Sequence, residues 1–427
     1  MKTFLRATLF VGIVFTGMEL FAADWPQYRG PAHDGSTPEK ISTRWPAAGP
    51  EQLWKIETPA GFSSFSVSDR KAFTQVARNI EGVPREVCIA VDAKTGKELW
   101  AYPVGFVKYG HDGGNAGSSD NKGGDGPRST PTVDGDRVYV MSSDLTLFCL
   151  NVADGKKIWS RDLMKEHAGR NISWKNAASP LLDGDLIFVA GGGEGEALLG
   201  IRTKDGSVAW KGEDDMMTHA TPVAATILEQ RQIIFFTQAG LVSVMPESGK
   251  VLWRYKFPFR TSTAASPVVC GDIVFCSAGY GVGAGAVKIN KSGSTFSATE
   301  LWRKQNQLIN HWSTPVHKDG YLYGMFSFKQ YDRGPLKCIE VATGKEMWEQ
   351  PGFGPGNVVL VDGNILALGD RGQLVLTEGT PEKYNELARA KVVEGKCWST
   401  PVVSGGRAYV RSTTEGVCLD VSVKLAE

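Results

Sequence analysis

Seven cysteines are spread along the chain, at positions 88, 149, 270, 276, 338, 397 and 418, with no adjacent pair and no C-x-x-C or C-x-x-C-H spacing. That spacing excludes a zinc knuckle and a c-type haem, and the odd count leaves at least one thiol unpaired even where disulfides form. Charge of one sign is also lacking: 47 Lys and Arg stand against 46 Asp and Glu, a net charge of +1. Nothing draws such a chain to a polyanion, so neither nucleic acid nor an anionic membrane surface is an expected partner. The G-x-S-x-G and H-E-x-x-H motifs are absent, which removes two hydrolase readings. The one long apolar run is at the N-terminus and falls short of the roughly 20 residues that a membrane-spanning helix needs.

That run, "MKTFLRATLFVGIVFTGMELFAADWPQ", places Lys2 and Arg6 before the apolar stretch and Ala22 and Ala23 before a polar segment. It reads as a secretory signal over residues 1–22, so the mature protein is expected to be exported, periplasmic or extracellular, and a monomer without a transmembrane span. No cysteine precedes Cys88, and the signal region therefore offers no thiol for a lipid anchor. Residues 23–50 hold Trp25, Trp45 and several prolines and are expected to run extended along the flank of the domain that follows.

Fifty glycines and 12 tryptophans are the positive features, and they are periodic. "AVDAKTGKELW" ends at Trp100, and weakened copies end at Trp159, Trp210, Trp253 and Trp348, with a longer variant ending at Trp302. A second element follows each tryptophan, as in "STPTVDGDRVYV" from Ser129 and "STPVVSGGRAYV" from Ser399. Its prolines, at 131, 180, 222, 267, 315 and 401, lie 49, 42, 45, 48 and 86 residues apart, the last interval spanning two repeats. "SFSVSDRKAFTQ" from Ser64 and "NVVLVDGNILAL" from Asn357 are degenerate copies.

A period in the forties made of short strands and glycine turns predicts a β-propeller. Each unit reads strand A, a tight turn, strand B, a loop, strand C, a T-G or D-G turn and strand D. Eight copies of strand A over residues 51–427 predict an all-β, eight-bladed propeller with four-stranded antiparallel blades. The last repeat lacks a tryptophan strand, whereas "EQLWKIET" from Glu51 is such a strand with no blade before it. Joined, the two close the ring and remove the open sheet edges. Trp54, Trp100, Trp159, Trp210, Trp253, Trp302 and Trp348 are then structural wedges packed toward the next blade. Cys149, Cys338 and Cys418 occupy a strand C position that holds Ala90, Gly200 and Ser243 in other repeats, so the cysteines read as buried, inert thiols.

These motifs, together with "DWPQYRGPAHDG", "GDGPRSTPTVDGDRVY" and "NHWSTPV", resemble the PQQ-binding-like, quinoprotein-type β-propeller family. Within it they are similar to a secreted bacterial branch likened to the propeller subunit of the outer-membrane-protein assembly machinery. Two activities follow from the resemblance. The first is a non-catalytic binding or scaffold propeller of the cell envelope, recognising a protein partner or a small ligand, with no cofactor. The alternative is a dehydrogenase of alcohols or sugars using pyrroloquinoline quinone (PQQ) and calcium. In such enzymes the quinone lies between a tryptophan and a disulfide of adjacent cysteines, and here the two nearest cysteines are Cys270 and Cys276.

Propeller ligands sit at the channel mouth, where the loops entering strand A meet those joining B to C. Three residues before the marker proline the repeats present Arg128, Ala177, His219, Ala264, Trp312 and Trp398. The positions after it are small or hydroxylic throughout, so only this one varies as a site would. Arg128, His219, Trp312 and Trp398 are therefore expected to ring the mouth, joined by Trp174 and His311 and, from the B to C loops, by Tyr280, Asp332, Arg333, Asp370 and Arg371. Asp332 and Asp370 are the candidates for a base or calcium ligand, and no metal set is defined by spacing. "GYGVGAG" from Gly279 precedes a strand rather than a helix, so it holds no phosphate. The segment from Gly110 to Gly126 misses calcium-loop spacing and reads as a surface loop near Arg128.

Overall fold

The computed structural model describes residues 24–107 and 126–424. The signal segment and nearly all of the Gly110 to Gly126 segment lie outside the described residues. Eight sheets are arranged as blades of four antiparallel strands, in sequence order from the channel outward in all but the last, whose outer strand comes from the N-terminus, and with a short fifth strand added to blade seven. Blade two shows the unit: A is Thr132–Asp134, B is Arg137–Met141, C is Thr146–Asn151 and D is Lys157–Asp162. The ring closes where β2 (Glu51–Glu57) pairs antiparallel with the last strand, Glu415–Asp420, bringing Trp54 opposite Cys418. Among the described residues no helix is long and apolar enough to cross a membrane.

The repeated D-x-x-T-G-x-x-x-W pattern is a turn and its support. The Asp92 carboxylate accepts the backbone N–H groups of Lys94 and Thr95 and the Thr95 hydroxyl; these bonds hold the turn and, the hydroxyl foremost, depress its pKa. Gly96 then takes φ +71°, a left-handed backbone that glycine adopts without strain. A Cβ there would lie 2.9 Å from the Trp54 ring of the preceding blade. The relation recurs between Gly155 and Trp100, Gly206 and Trp159, Gly249 and Trp210, and Gly344 and Trp302. The indole N–H of each of these tryptophans donates to a backbone carbonyl beside the same turn: Trp54 to Ala93, Trp100 to Val152, Trp159 to Thr203, Trp210 to Pro246 and Trp302 to Val341. Trp348 donates to Thr380. Trp253 differs, donating to Gln232 Oε1 within its own blade, because the next blade's strands C and D, Gly283–Ser292 and Thr295–Lys304, are lengthened past this turn.

The same tryptophans explain the small position on strand C. Ala90, Cys149, Gly200, Ser243, Ala286, Cys338 and Cys418 each face a strand D tryptophan in register. All seven cysteines are buried and free, and burial pushes the Cys149, Cys338, Cys397 and Cys418 thiols up to about 12.

The N-terminal segment departs from the expected course along the flank. Trp25 bridges Val67 of blade one, Val133 of blade two donates its N–H to Pro26, and Gln27 exchanges bonds with Leu182 of blade three. Arg29 then reaches the Thr314 and Pro315 carbonyls of blade six. The short strand β1 (Ser36–Thr37) adds in parallel to strand A of blade seven, Asn357–Val361. Glu39 accepts the N–H groups of Gly405 and Gly406 in blade eight. The segment thus crosses the inner strands and closes the channel at the end opposite the mouth, meeting strand A beyond its entry in blades one, two, three and seven and the A to B turn in blade eight.

Candidate functional site

Strand A entries build the mouth. In five of the blade-to-blade steps the residue before the marker proline, or Ser64 at the same place in blade one, accepts with its side-chain oxygen the backbone N–H of its counterpart in the preceding blade: Ser64 N–H to Thr130, Thr130 to Ser179, Ser179 to Thr221, Ser266 to Thr314, and Thr400 back to Ser64, at 2.8–3.0 Å, while the Ser266 hydroxyl donates to the Thr221 carbonyl. This hydroxyl girdle satisfies backbone donors that a buried channel wall would leave unpaired, and it accounts for the hydroxylic residues of the repeat. Asn357 holds the position in blade seven and donates instead to the Trp398 carbonyl.

Two residues earlier in seven of the eight blades, blade seven with Pro355 being the exception, the variable position faces a cavity of about 800 Å³. Phe62, Arg128, Ala177, His219, Ala264, Trp312 and Trp398 all line it, as do Trp174, Tyr280, His311 and Arg333. Trp312 and Trp398 stack with ring centroids 4.1 Å apart and 28° between planes, and Phe62 stacks on Trp398 at 4.8 Å. Trp312 is held by its indole N–H, which donates to Pro355. Tyr280 meets His311 edge to face at 5.2 Å, and Phe328 packs against both.

Burial sets the histidines. His219 Nε2 donates to the Ser173 carbonyl, so Nδ1 is the acceptor for the Ser262 hydroxyl. Burial, with the Arg128 charge nearby, lowers its pKa to about 4. Burial takes His311 lower, to about 3, aided by His219 and Lys329. Both rings are therefore neutral at pH 7. Arg128 donates to the Trp174 carbonyl, holding a residue whose φ of +65° turns the chain toward the cavity.

Asp332, Asp370 and Arg371 do not line the cavity. Asp332 is exposed and paired with Arg371. Asp370 is 4% exposed and accepts the Asp332 N–H; burial raises its pKa to about 6. Their loops reach the mouth face, but Asp332 and Arg371 pair with each other beside it. Among the described residues no three His, Cys, Asp or Glu side chains are gathered as metal ligands.

The lining includes residues that the register did not single out. Phe62 follows the same register, but its repeat has Phe65 where six others carry proline, so the marker is missing. Lys329 and Tyr331 lie on the irregular B to C loop of blade six, and no spacing signals them. Tyr28 comes from the N-terminal segment and forms part of the floor, with its hydroxyl 3.5 Å from Thr314 Oγ1.

Residues 84–350 match the family described as outer membrane protein assembly factor BamB. The protein of that name from Yersinia pestis is 23% identical over 390 residues, covering 87% of this chain and 78% of its own. In three dimensions, the crystal structure of BamB from Moraxella catarrhalis superposes with a TM-score of 0.59 at 14% identity, over 88% of this chain and 98% of that one. The quinohemoprotein alcohol dehydrogenase of Comamonas testosteroni reaches a TM-score of 0.65 at 12% identity, over 95% and 81%. At such identities the structural likenesses speak for the fold alone. The sequence match spans more than half of the chain: this protein belongs to the BamB outer membrane protein assembly factor family.

Proposed function

We propose that the protein is a non-catalytic scaffold of the cell envelope, exported by its N-terminal signal, that holds a protein partner at the channel-mouth face. Membership of a family named for outer membrane protein assembly supports the envelope setting. One observation carries the choice of face: the varied side chains of the repeats converge there on an aromatic cavity, while the rest of each blade repeats architecture. The arrangement offers binding rather than chemistry. His219 is committed to Ser173 and Ser262, and the carboxylates that could act as a base are paired or buried beside the cavity.

The quinone reading does not suit these residues. Trp398 has no face left for a planar cofactor, since Trp312 stacks on it at 4.1 Å and Phe62 at 4.8 Å. The adjacent cysteines are missing, and Asp332 and Asp370 do not converge on a cation.

Site-specific photocrosslinking in producing cells tests the scaffold. A crosslinking residue in place of Trp174 is expected to yield a discrete protein adduct, and one in place of Leu228, exposed in the A to B turn of blade four away from the mouth, none. Adducts from Leu228 alone would move the partner to another face. Titration with PQQ and calcium is expected to leave tryptophan fluorescence unchanged; saturable quenching with dye-coupled oxidation of alcohols or sugars would make the protein an enzyme.

A further inference from the structure

The charges of the cavity are one-sided. Arg128, Lys329 and Arg333 line it, and no carboxylate does among the described residues. The two acids nearest along the chain are used elsewhere, Asp332 on Arg371 and Asp370 buried against the Asp332 backbone. Lys329 rests its ammonium 5.1 Å from the ring centroids of both Tyr280 and Phe328, a contact that favours the cation without neutralising it. In a cleft with low-dielectric aromatic walls such a field is focused toward the opening. Over the whole molecule the net charge is only +1, so the positive potential is local and does not suit a nucleic acid.

Shape restricts the occupant further. The N-terminal segment closes the far end of the channel, and Tyr28 lies in the cavity floor. Nothing threads through; whatever binds enters and leaves by the mouth. The stacked Trp312, Trp398 and Phe62 offer apolar surface beside the cations, which matches a short stretch carrying both carboxylates and apolar side chains.

We infer that the cavity receives a protruding acidic segment of the protein partner, a loop tip or chain end, with its carboxylates seated on Lys329 and Arg333 and its apolar side chains on the Trp312 and Trp398 wall. The inference rests on the scaffold reading. Guanidinium recognition of a carboxylate is charge-assisted and directional, so Arg333 discriminates acid from amide, and Lys329 adds attraction that salt weakens.

The test uses the whole mature protein and a short capped peptide alternating glutamate with phenylalanine, followed by the fluorescence of the native tryptophans. The glutamate peptide is expected to bind saturably and to weaken with added salt. Its glutamine counterpart is expected to bind at least about tenfold more weakly, a difference of about 1.4 kcal/mol. The double variant Lys329→Ala/Arg333→Ala changes two exposed loop residues, so its melting temperature should match the parent while affinity for the glutamate peptide falls at least about tenfold. Equal binding of both peptides, or an undiminished affinity in the double variant, overturns the inference. Displacement of the peptide by PQQ at stoichiometric concentration also overturns it, in favour of a cofactor site. Crosslinked adducts from the Trp174 position that persist unchanged in the double variant would leave the scaffold standing and sink the acidic segment.

Discussion

Three buried histidines decide how single residues couple this fold to pH. Burial, the leading cause in each, lowers His33 and His219 to about 4 and His311 to about 3, from an ordinary 6.5. Unfolded chains take up these protons as pH falls through 6.5, while the folded chain does not until near 4. The stability they contribute is therefore complete above about pH 6.5 and is lost as pH falls below it. At pH 5 each histidine costs about 2 kcal/mol, from about 1.4 kcal/mol per pH unit. Asp370 has the opposite sign. Its folded pKa of about 6 lies above the ordinary 3.8, so the native state holds a proton that the unfolded state releases, and stability falls as pH rises through that window. Three groups outweigh one, and urea midpoints are expected to drop from pH 7 to pH 5. His311→Gln should reduce that drop. Asp370→Asn, which keeps an acceptor for the Asp332 N–H, should raise stability at pH 8 by up to about 3 kcal/mol and change little at pH 4. An acid-side gain from Asp370→Asn would refute this account.

At the scale of the element, the turn glycines separate two costs that a single substitution usually mixes. Gly135, in the A to B turn of blade two, has φ +54° and open space where a Cβ would stand. Gly155, in the C to D turn of the same blade, has φ +71° and would place a Cβ 2.6 Å from Trp100. Gly135→Ala should cost about 1–2 kcal/mol, the strain of a left-handed backbone. Gly155→Ala adds overpacking against a ring, which brings the total to about 2–5 kcal/mol. Equilibrium urea denaturation of both variants measures the difference; equal losses would show that the Trp100 contact yields freely. The strands and turns were legible in the sequence because they recur in every blade, and the tryptophan because it recurs in seven of the eight. The cross-blade contact was legible only as a direction, since which turn glycine meets which tryptophan depends on how blades stack. The same limit applies at the mouth. Arg128, His219, Trp312 and Trp398 were readable by counting back from a proline, whereas Lys329 and Tyr331 lie on a loop whose length no repeat sets, and Asp370 carries a charge whose burial no spacing reveals.

At the scale of the whole molecule, two closures hold the ring, and they differ in kind. The first is the pairing of β2 with the last strand, reinforced by Arg411. That guanidinium is 1% exposed and donates to Thr74 Oγ1 and the Gln75 carbonyl of blade one, and to the Thr58 and Ala60 carbonyls that follow β2. Burial lowers its pKa to about 9, so it remains charged at pH 7, held by neutral oxygens. This joint follows from the split of one blade between the two ends of the chain, and so it was legible. The second closure, the N-terminal segment across the channel floor, was not, because its contacts scatter over blades one, two, three, six, seven and eight with no repeating register. Arg29 is its principal pin, buried and donating to the Thr314, Pro315 and Asp34 carbonyls. In Arg29→Ala two blade-six carbonyls and the segment's own turn lose their donor, at about 1–3 kcal/mol for each buried group left unsatisfied. Because β2 still closes the ring, the propeller should survive while the segment loosens. Limited proteolysis is expected to cut within residues 24–37 much faster in the variant, leaving a resistant core that begins near β2 and melts cooperatively. Cleavage at the parental rate would mean that Trp25, Gln27 and Glu39 anchor the segment without Arg29; general digestion of the blades would mean that the floor, and not the strand pairing, is what keeps the ring closed.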